Sequence, residues 1–136
     1  MGEVFADIIL RNVKDIALAE EGHIKAEDVR VVTVSACADT GAYDLCITED
    51  VFERLGLRVD GEITATVANG QKVQCKITSP VKVHWEDRFT STPATVIPGL
   101  EEVLLGAIPM EGMDLMVHPR SGKVVGAHGD KPVFRI

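Results

Sequence analysis

Residues 31–47 constrain the fold more than any other stretch. Val31-Val32-Thr33-Val34-Ser35-Ala36-Cys37 is β-branched and alternating, Ala38-Asp39-Thr40-Gly41-Ala42 follows it, and Leu45-Cys46-Ile47 resumes an apolar run. A strand that ends in a polar turn and doubles back into another strand holds Asp39 on a rigid frame. An acid, a hydroxyl and a glycine then stand together at the point where backbone and solvent meet. This spacing predicts a β-rich domain carrying a catalytic loop at residues 38–42.

Composition sharpens that reading. With 136 residues, 46% hydrophobic and only 4% aromatic, the chain is expected to form one domain over residues 1–136 whose core rests on Val, Ile, Leu and Ala. Such a core favours short strands over long helices. A formal net charge of -7 with scattered Lys and Arg excludes nucleic acid and an anionic membrane surface as main partners. The N-terminal residues show neither a basic region nor a long apolar segment, so no secretory signal or membrane span is expected and the location is read as cytoplasmic. Met1-Gly2 invites a myristoylation reading, but Ala6 stands where Ser or Thr is wanted. Cys37, Cys46 and Cys75 form no C-x-x-C pair, which fits reduced thiols in strands. His23, His84, His118 and His128 are dispersed without ligand spacing, so no metal and no cofactor is expected.

Along the chain, Glu3 to Leu10 reads as a strand. Asn12 to Asp28 is ambiguous between a long hairpin excursion and a turn of helix, because Ala17-Leu18-Ala19-Glu20-Glu21 favours helix and Gly22 cuts it short. Thr48 to Gly56 is the clearest helix, with Thr48 as cap, acids in the first turn, Gly56 as terminator and Val51, Phe52 and Leu55 on one face. Ile63 to Ala68 and Lys72 to Ile77 flank Asn69-Gly70 and predict a hairpin with a type I′ turn and Gly70 at positive φ. Val81 to Trp85 and Phe89 to Ile97 continue as strands, with Pro93 marking an edge. Trp85 is read as a core or barrel-rim residue. Val103 to Pro109 reads as an apolar strand whose Gly106 marks the close passage of another backbone, and Met110 to Met113 as a short turn. Leu115 to Val117, Lys123 to Ala127 and Pro132 to Ile136 are further short strands.

Taken together, Asp39-Thr40-Gly41-Ala42, the helix ending in Leu55-Gly56-Leu57, the Ala68-Asn69-Gly70 hairpin and Leu104-Leu105-Gly106 resemble the retropepsin-like aspartic proteases. The order and spacing cover most of the chain after Val29. The opening Met1-Gly2-Glu3-Val4 and the stretch through Met113-Asp114-Leu115 look like the small prokaryotic members of that group. The resemblance implies an all-β, homodimeric, closed β-barrel lobe with one short helix. It implies Asp39 as the catalytic aspartate, supported by Thr40, Gly41 and Ala42. Thr40 would hydrogen-bond across the dimer axis and Gly41 would let substrate backbone approach. Ala68, Asn69 and Gly70 would form the flap, and Leu105 and Gly106 a second apolar arm near the aspartate loop.

Two positions depart from the pattern. Retroviral members pair an acid after the Ala with an Arg after the second-arm glycine; here those positions hold Tyr43 and Ala107. Both partners are absent together, so no unpaired buried charge remains. Asp44 is the nearest acid, readable as a weak substrate-binding group or a solvated surface acid. Ala36 and Ala38 are also smaller than the bulky residues common before the motif.

The chemistry follows from two carboxylates held together. Like charges about 3 Å apart cannot both ionise, so an Asp39 pair would share one proton, activate water and protonate the carbonyl oxygen of a peptide. Asp-Thr-Gly occurs once, so the second aspartate must come from a two-fold-related copy. The expected function is a homodimeric aspartic endopeptidase acting on a peptide or protein substrate. The alternative is a catalytically inactive peptide-binding or dimerisation module that keeps the cleft and flap.

Overall fold

The computed structural model describes residues 3–136; Met1 and Gly2, which open the motif read above, lie outside the described residues. The N-terminal run folds as β1 (Phe5–Asn12), whose pleat buries Ala6, Ile8 and Leu10 and leaves Phe5, Asp7 and Ile9 on the other side. The excursion that follows is helical: α1 (Val13–Glu20) starts on Asn12, whose side chain accepts from the Asp15 N–H at 3.2 Å, and ends before Gly22 at φ +82. A 3-10 turn (Ala26–Asp28) leads into β2 (Val31–Ala38), which runs antiparallel to β1 with Phe5 opposite Cys37 and Arg11 opposite Val31.

Beyond β2 come β3 (Leu45–Ile47), α2 (Glu49–Leu55), and the hairpin of β4 (Val59–Thr66) with β5 (Lys72–Thr78). Thr48 caps α2 by accepting from the Val51 N–H at 3.1 Å, and Gly56 closes it at φ +60. β6 (Val81–Trp85) and β7 (Arg88–Thr92) form a second hairpin. Pro93 is where the chain leaves β7, at one end of the sheet, to become β8 (Ala94–Val96) in its interior. β9 (Leu104–Leu105), α3 (Ala107–Gly112), and the separate hairpin of β10 (Leu115–His118) with β11 (Lys123–Gly126) complete the order.

The principal sheet has nine strands in the order β4-β5-β8-β3-β9-β2-β1-β6-β7. The fold is therefore β-dominated, with three short α-helices among the described residues where one was expected. No ladder joins β4 to β7, so the expected closed barrel is corrected to an open order. Alternation along a strand reports which face is buried, not which edge closes on which. The two edges have different fates: β4 is mostly exposed, whereas β7 lies against α3, where Thr90 meets Gly112. One continuous core gathers Ile8, Leu10, Val32, Leu45, Ile47, Leu55, Val81, Val83 and Leu105, each at most 1% exposed. Each such side chain contributes about 1.5–3 kcal/mol of transfer free energy.

Two further expectations are corrected. Residues 107–112 are helical rather than strand and turn, because Pro109 sits in the first turn of α3, where no backbone N–H is needed. Pro132 to Ile136 makes no strand; instead the Val133 N–H donates to Asp114 Oδ2 at 3.0 Å and the tail stays exposed. Asp114 also accepts from His128 Nδ1 at 2.8 Å, and these partners, the Val133 amide first, hold its carboxyl below the usual range. The buried Arg88 guanidinium donates to the carbonyls of Met113, Asp114 and Gly129, so the same cluster ties the β6–β7 turn to the C-terminal residues.

The excursion is pinned to the root of β2 by Asp15. Its carboxylate accepts from Arg30 Nε at 2.8 Å, Arg30 Nη2 at 2.9 Å and the Arg30 backbone N–H at 3.0 Å. These contacts, the guanidinium bonds first, hold the Asp15 carboxyl below its ordinary value despite burial. A depressed native pKa stabilises the fold fully above the unfolded carboxylate pKa and loses that contribution as pH falls through the native value. Asp15→Asn is expected to cost about 1–3 kcal/mol at neutral pH and to flatten the acid limb of the stability curve, read by urea unfolding at several pH values. An unchanged acid limb would remove Asp15 as its source.

Candidate active site

β2 delivers Asp39 immediately past its last residue, and the ladder continues one step beyond it: the Asp39 N–H donates to Leu105 O at 3.0 Å. The side chain is half-buried and folds back on its own loop, where Oδ1 accepts the Gly41 N–H at 2.9 Å and the Asp39 carbonyl accepts from Ala42 N at 3.2 Å. The turn is therefore an Asx-type turn. Thr40 and Gly41 are exposed at its tip, and Ala42 is half-buried where the chain turns inward. A carboxylate fixed by backbone on one oxygen leaves its second oxygen free to meet a partner or substrate.

The second arm wedges into this loop. Leu104 and Leu105 pair parallel with Cys37 and Ala38 on one side and antiparallel with Cys46 and Leu45 on the other. Immediately after them, a Cβ on Gly106 would collide with Asp44 O and lie 2.8 Å from both Ala42 O and the Tyr43 carbonyl carbon. The close backbone passage expected from the glycine is thus present. Its φ of -82 is open to any residue, so the requirement is steric rather than conformational.

The missing acid–Arg pair is replaced by main chain. The Ala107 N–H donates to Ala42 O and the Ile108 N–H to Tyr43 O, both at 2.8 Å, while the Tyr43 side chain points away, 78% exposed. Asp44 is half-buried, its Oδ2 3.5 Å from Thr95 Oγ1. The neighbouring Cys46 offers no nucleophile, since burial first and the Asp44 charge second push its thiol up to about 11.

The hairpin expected as a flap projects from the edge of the sheet. Residues 62–64, 66, 68–72 and 74 are exposed. Gly70 is at φ +83 as expected, but Asn69 is not at positive φ, so the turn is not type I′. The Gly70 N–H donates to Val67 O and the Val67 N–H to Gln71 O, each at 2.9 Å, and Asn69 Oδ1 takes the Gln71 N–H at 2.9 Å. This is a turn over Ala68-Asn69 followed by a left-handed glycine, the three-residue alternative for closing a hairpin. Asn69 is drawn to an Asx bond forward along the chain rather than to the left-handed region. Cavities of 480 and 430 Å³ lie near Trp85–Arg88 and near Arg11–His84, and neither is lined by the hairpin tip, the aspartate loop or the second arm.

Residues that motif reading did not single out also reach this region. Glu3, Cys37 and Glu102 converge next to β2 and the second arm. The signal available in the sequence was proximity, since Cys37 stands two residues before Asp39. No helix among the described residues is long and apolar enough to cross a membrane.

A sequence model of the family described as aspartyl protease matches residues 22–108. The retroviral protease-like domain of Ddi1 from Leishmania major superposes with a TM-score of 0.58 at 14% identity, covering 99% of this chain and 96% of that one. A retropepsin-like aspartic protease from Rickettsia conorii superposes with a TM-score of 0.52 at 20% identity, covering 87% and 86% of the two chains. Both likenesses are of fold. No curated protein matches the chain.

Gly106→Ala tests the wedge. The added methyl must displace backbone rather than a flexible side chain, so the expected cost is about 1–3 kcal/mol in chemical denaturation, with a shift of the loop amides in NMR spectra. A variant as stable as the parent with unmoved amides at residues 39–44 would contradict the steric account.

Proposed function

The chain belongs to the aspartyl protease family, and from that premise we propose that it is an aspartic endopeptidase built as a homodimer. The carrying observation is the clamped loop: Asp39 follows β2, is bonded through its backbone to Leu105 and through Oδ1 to Gly41, and leaves one oxygen free. In the dimer, two Asp39 loops meet on the two-fold axis and their carboxylates share a proton. The ionised member takes a proton from water as it attacks the peptide carbonyl, and the protonated member donates to the carbonyl oxygen. Thr40 at the exposed tip bonds across the axis, Gly41 and Ala42 leave room for substrate backbone, and the Ala68-Asn69-Gly70 tip folds over the substrate as a flap. Asp44 accepts a substrate backbone N–H.

Several features support dimerisation. A single chain holds one Asp-Thr-Gly, so a second aspartate has to come from another copy. Phe5 is 45%, Val133 56% and Phe134 53% exposed, so both terminal segments offer apolar side chains to a second copy. The tail around Val133 lacks a strand partner in the protomer and gains one from the second copy. The free thiols Cys37, Cys46 and Cys75 fit a reducing, cytoplasmic setting.

Cleavage of a peptide mixture at about pH 4 to 7 is expected from the parent protein and lost by at least about 100-fold in Asp39→Asn, which keeps the shape but cannot act as base. Specific activity should fall on dilution below the dimer dissociation constant, with light scattering reporting the monomer over the same range. Cleavage by a strictly monomeric protein would sink the shared dyad. A dimer that binds the peptides and cuts none would favour the inactive binding module.

A further inference from the structure

Two carboxylates and a thiol meet beside Asp39 without belonging to its loop. Ligand atoms of Glu3, Cys37 and Glu102 all lie within 4.8 Å of one another. The topology explains the convergence. Cys37 stands opposite Phe5 across the β1–β2 ladder and beside Leu104 across β2–β9, and Glu3 and Glu102 precede those two partners by one pleat repeat each. Asp39 follows Cys37 by two residues, about 6.5 Å further along an extended chain, and its charge is felt at the thiol.

Among the described residues the group has no ion-pair partner; the acids that do have one are Asp15, Glu21, Asp50, Asp60 and Asp114. Two acids held this close without a cation repel each other. The thiol points the same way. Cys46 and Cys75 donate to the carbonyls of Asp44 and Val73, whereas Cys37, only 8% exposed, has no hydrogen-bond partner among the described residues and faces the two acids. Burial first, then the charges of Glu102, Glu3 and Asp39, keep it a neutral thiol. A buried polar atom and two unpaired carboxylates around one point form a receptor for a cation with N–H donors.

Building on the reading of Asp39 as the catalytic aspartate, we propose that Glu3, Cys37 and Glu102 form an acidic subsite that accepts a Lys or Arg side chain of the substrate next to the scissile bond. A peptide stretched over Asp39 carries its flanking side chain along β2, and the four-carbon stem of Lys spans one pleat repeat to put its ammonium between the acids. Its stem lies against the neutral thiol while the two carboxylates accept its donors.

The test uses peptide pairs identical except for Lys or the uncharged norleucine at the positions flanking the cut. The Lys peptide is expected to show kcat/KM about tenfold higher in the parent, and the ratio to fall toward unity in Glu3→Gln/Glu102→Gln, whose folding is checked by thermal unfolding. A ratio of one in the parent, or a ratio that the double substitution leaves intact, overturns the subsite. Calorimetry of the same peptides on Asp39→Asn reads the subsite without chemistry. A Lys preference there that Glu3→Gln/Glu102→Gln removes upholds the subsite even if nothing is cleaved, which would count against the peptidase reading alone; equal binding overturns the subsite. Zn²⁺ alone binding tightly to the parent and not to the double variant would overturn it in favour of a metal site.

Discussion

The insertion of Leu104-Leu105-Gly106 between β2 and β3 is the contact on which the rest of the molecule depends. Two residues of strand pair with two neighbours of opposite sense, and the ladder then gives way to a glycine lying against three consecutive carbonyl groups. Because β2 and β3 are joined by the aspartate loop, anything that sets their separation also sets the loop. The second arm therefore acts as a spacer. It fixes where β2 ends, carries one hydrogen bond to the Asp39 amide, and sends α3 off with its first amides already bonded to Ala42 and Tyr43.

That arrangement accounts for the absence of a charged pair at Tyr43 and Ala107. A guanidinium and a carboxylate would have to be desolvated to brace this corner, and such a pair barely repays the cost unless its geometry is excellent. Two backbone bonds of 2.8 Å do the bracing with groups that need partners in any case, since the first amides of α3 have none within the helix. The side chain freed from that duty, Tyr43, stands in solvent. Charge is used at the other end of the fold, where Arg88 and Asp114 gather the β6–β7 turn, the start of β10 and the C-terminal residues into one buried cluster.

What the sequence disclosed and what it concealed divide along a physical line. The aspartate loop, α2 with its Thr48 cap, the Asn69-Gly70 hairpin and the tight passage at Gly106 were legible, because each depends on residues adjacent in the chain. The helix at residues 13–20 was not, since its start rests on the Asn12 side chain, which also reaches Leu55 O at 2.8 Å from another element. α3 hid behind Pro109, a residue that breaks helices everywhere except in the first turn. The tail at residues 132–136 has the composition of a strand, but among the described residues it bonds to a carboxylate, that of Asp114, and joins no ladder. The turn at Asn69-Gly70 differed in type because the Asn side chain chose an Asx bond to Gln71, a competition that dipeptide preference does not resolve. Closure of the sheet depends on contacts between its distant edges, which no local pattern encodes.

Charge around the loop follows from the same economy. Asp39, Asp44, Glu3 and Glu102 have no ion-pair partner among the described residues, whereas Arg30 and Arg88 are committed to Asp15 and to the carbonyls near Asp114. Position 107, directly after Gly106, holds alanine rather than a guanidinium that would have offset these acids. The potential there stays negative, and in a half-buried setting it is screened less than on an open surface. Neutralising it requires either a proton or a cation arriving with a ligand. In the proposed dimer the proton is shared between the two Asp39 carboxylates, and in the proposed subsite the cation falls to Glu3 and Glu102. The proposed dyad and the proposed basic-side-chain subsite are thus two answers to one electrostatic condition, set by a β-arm that braces the site with amides instead of charge.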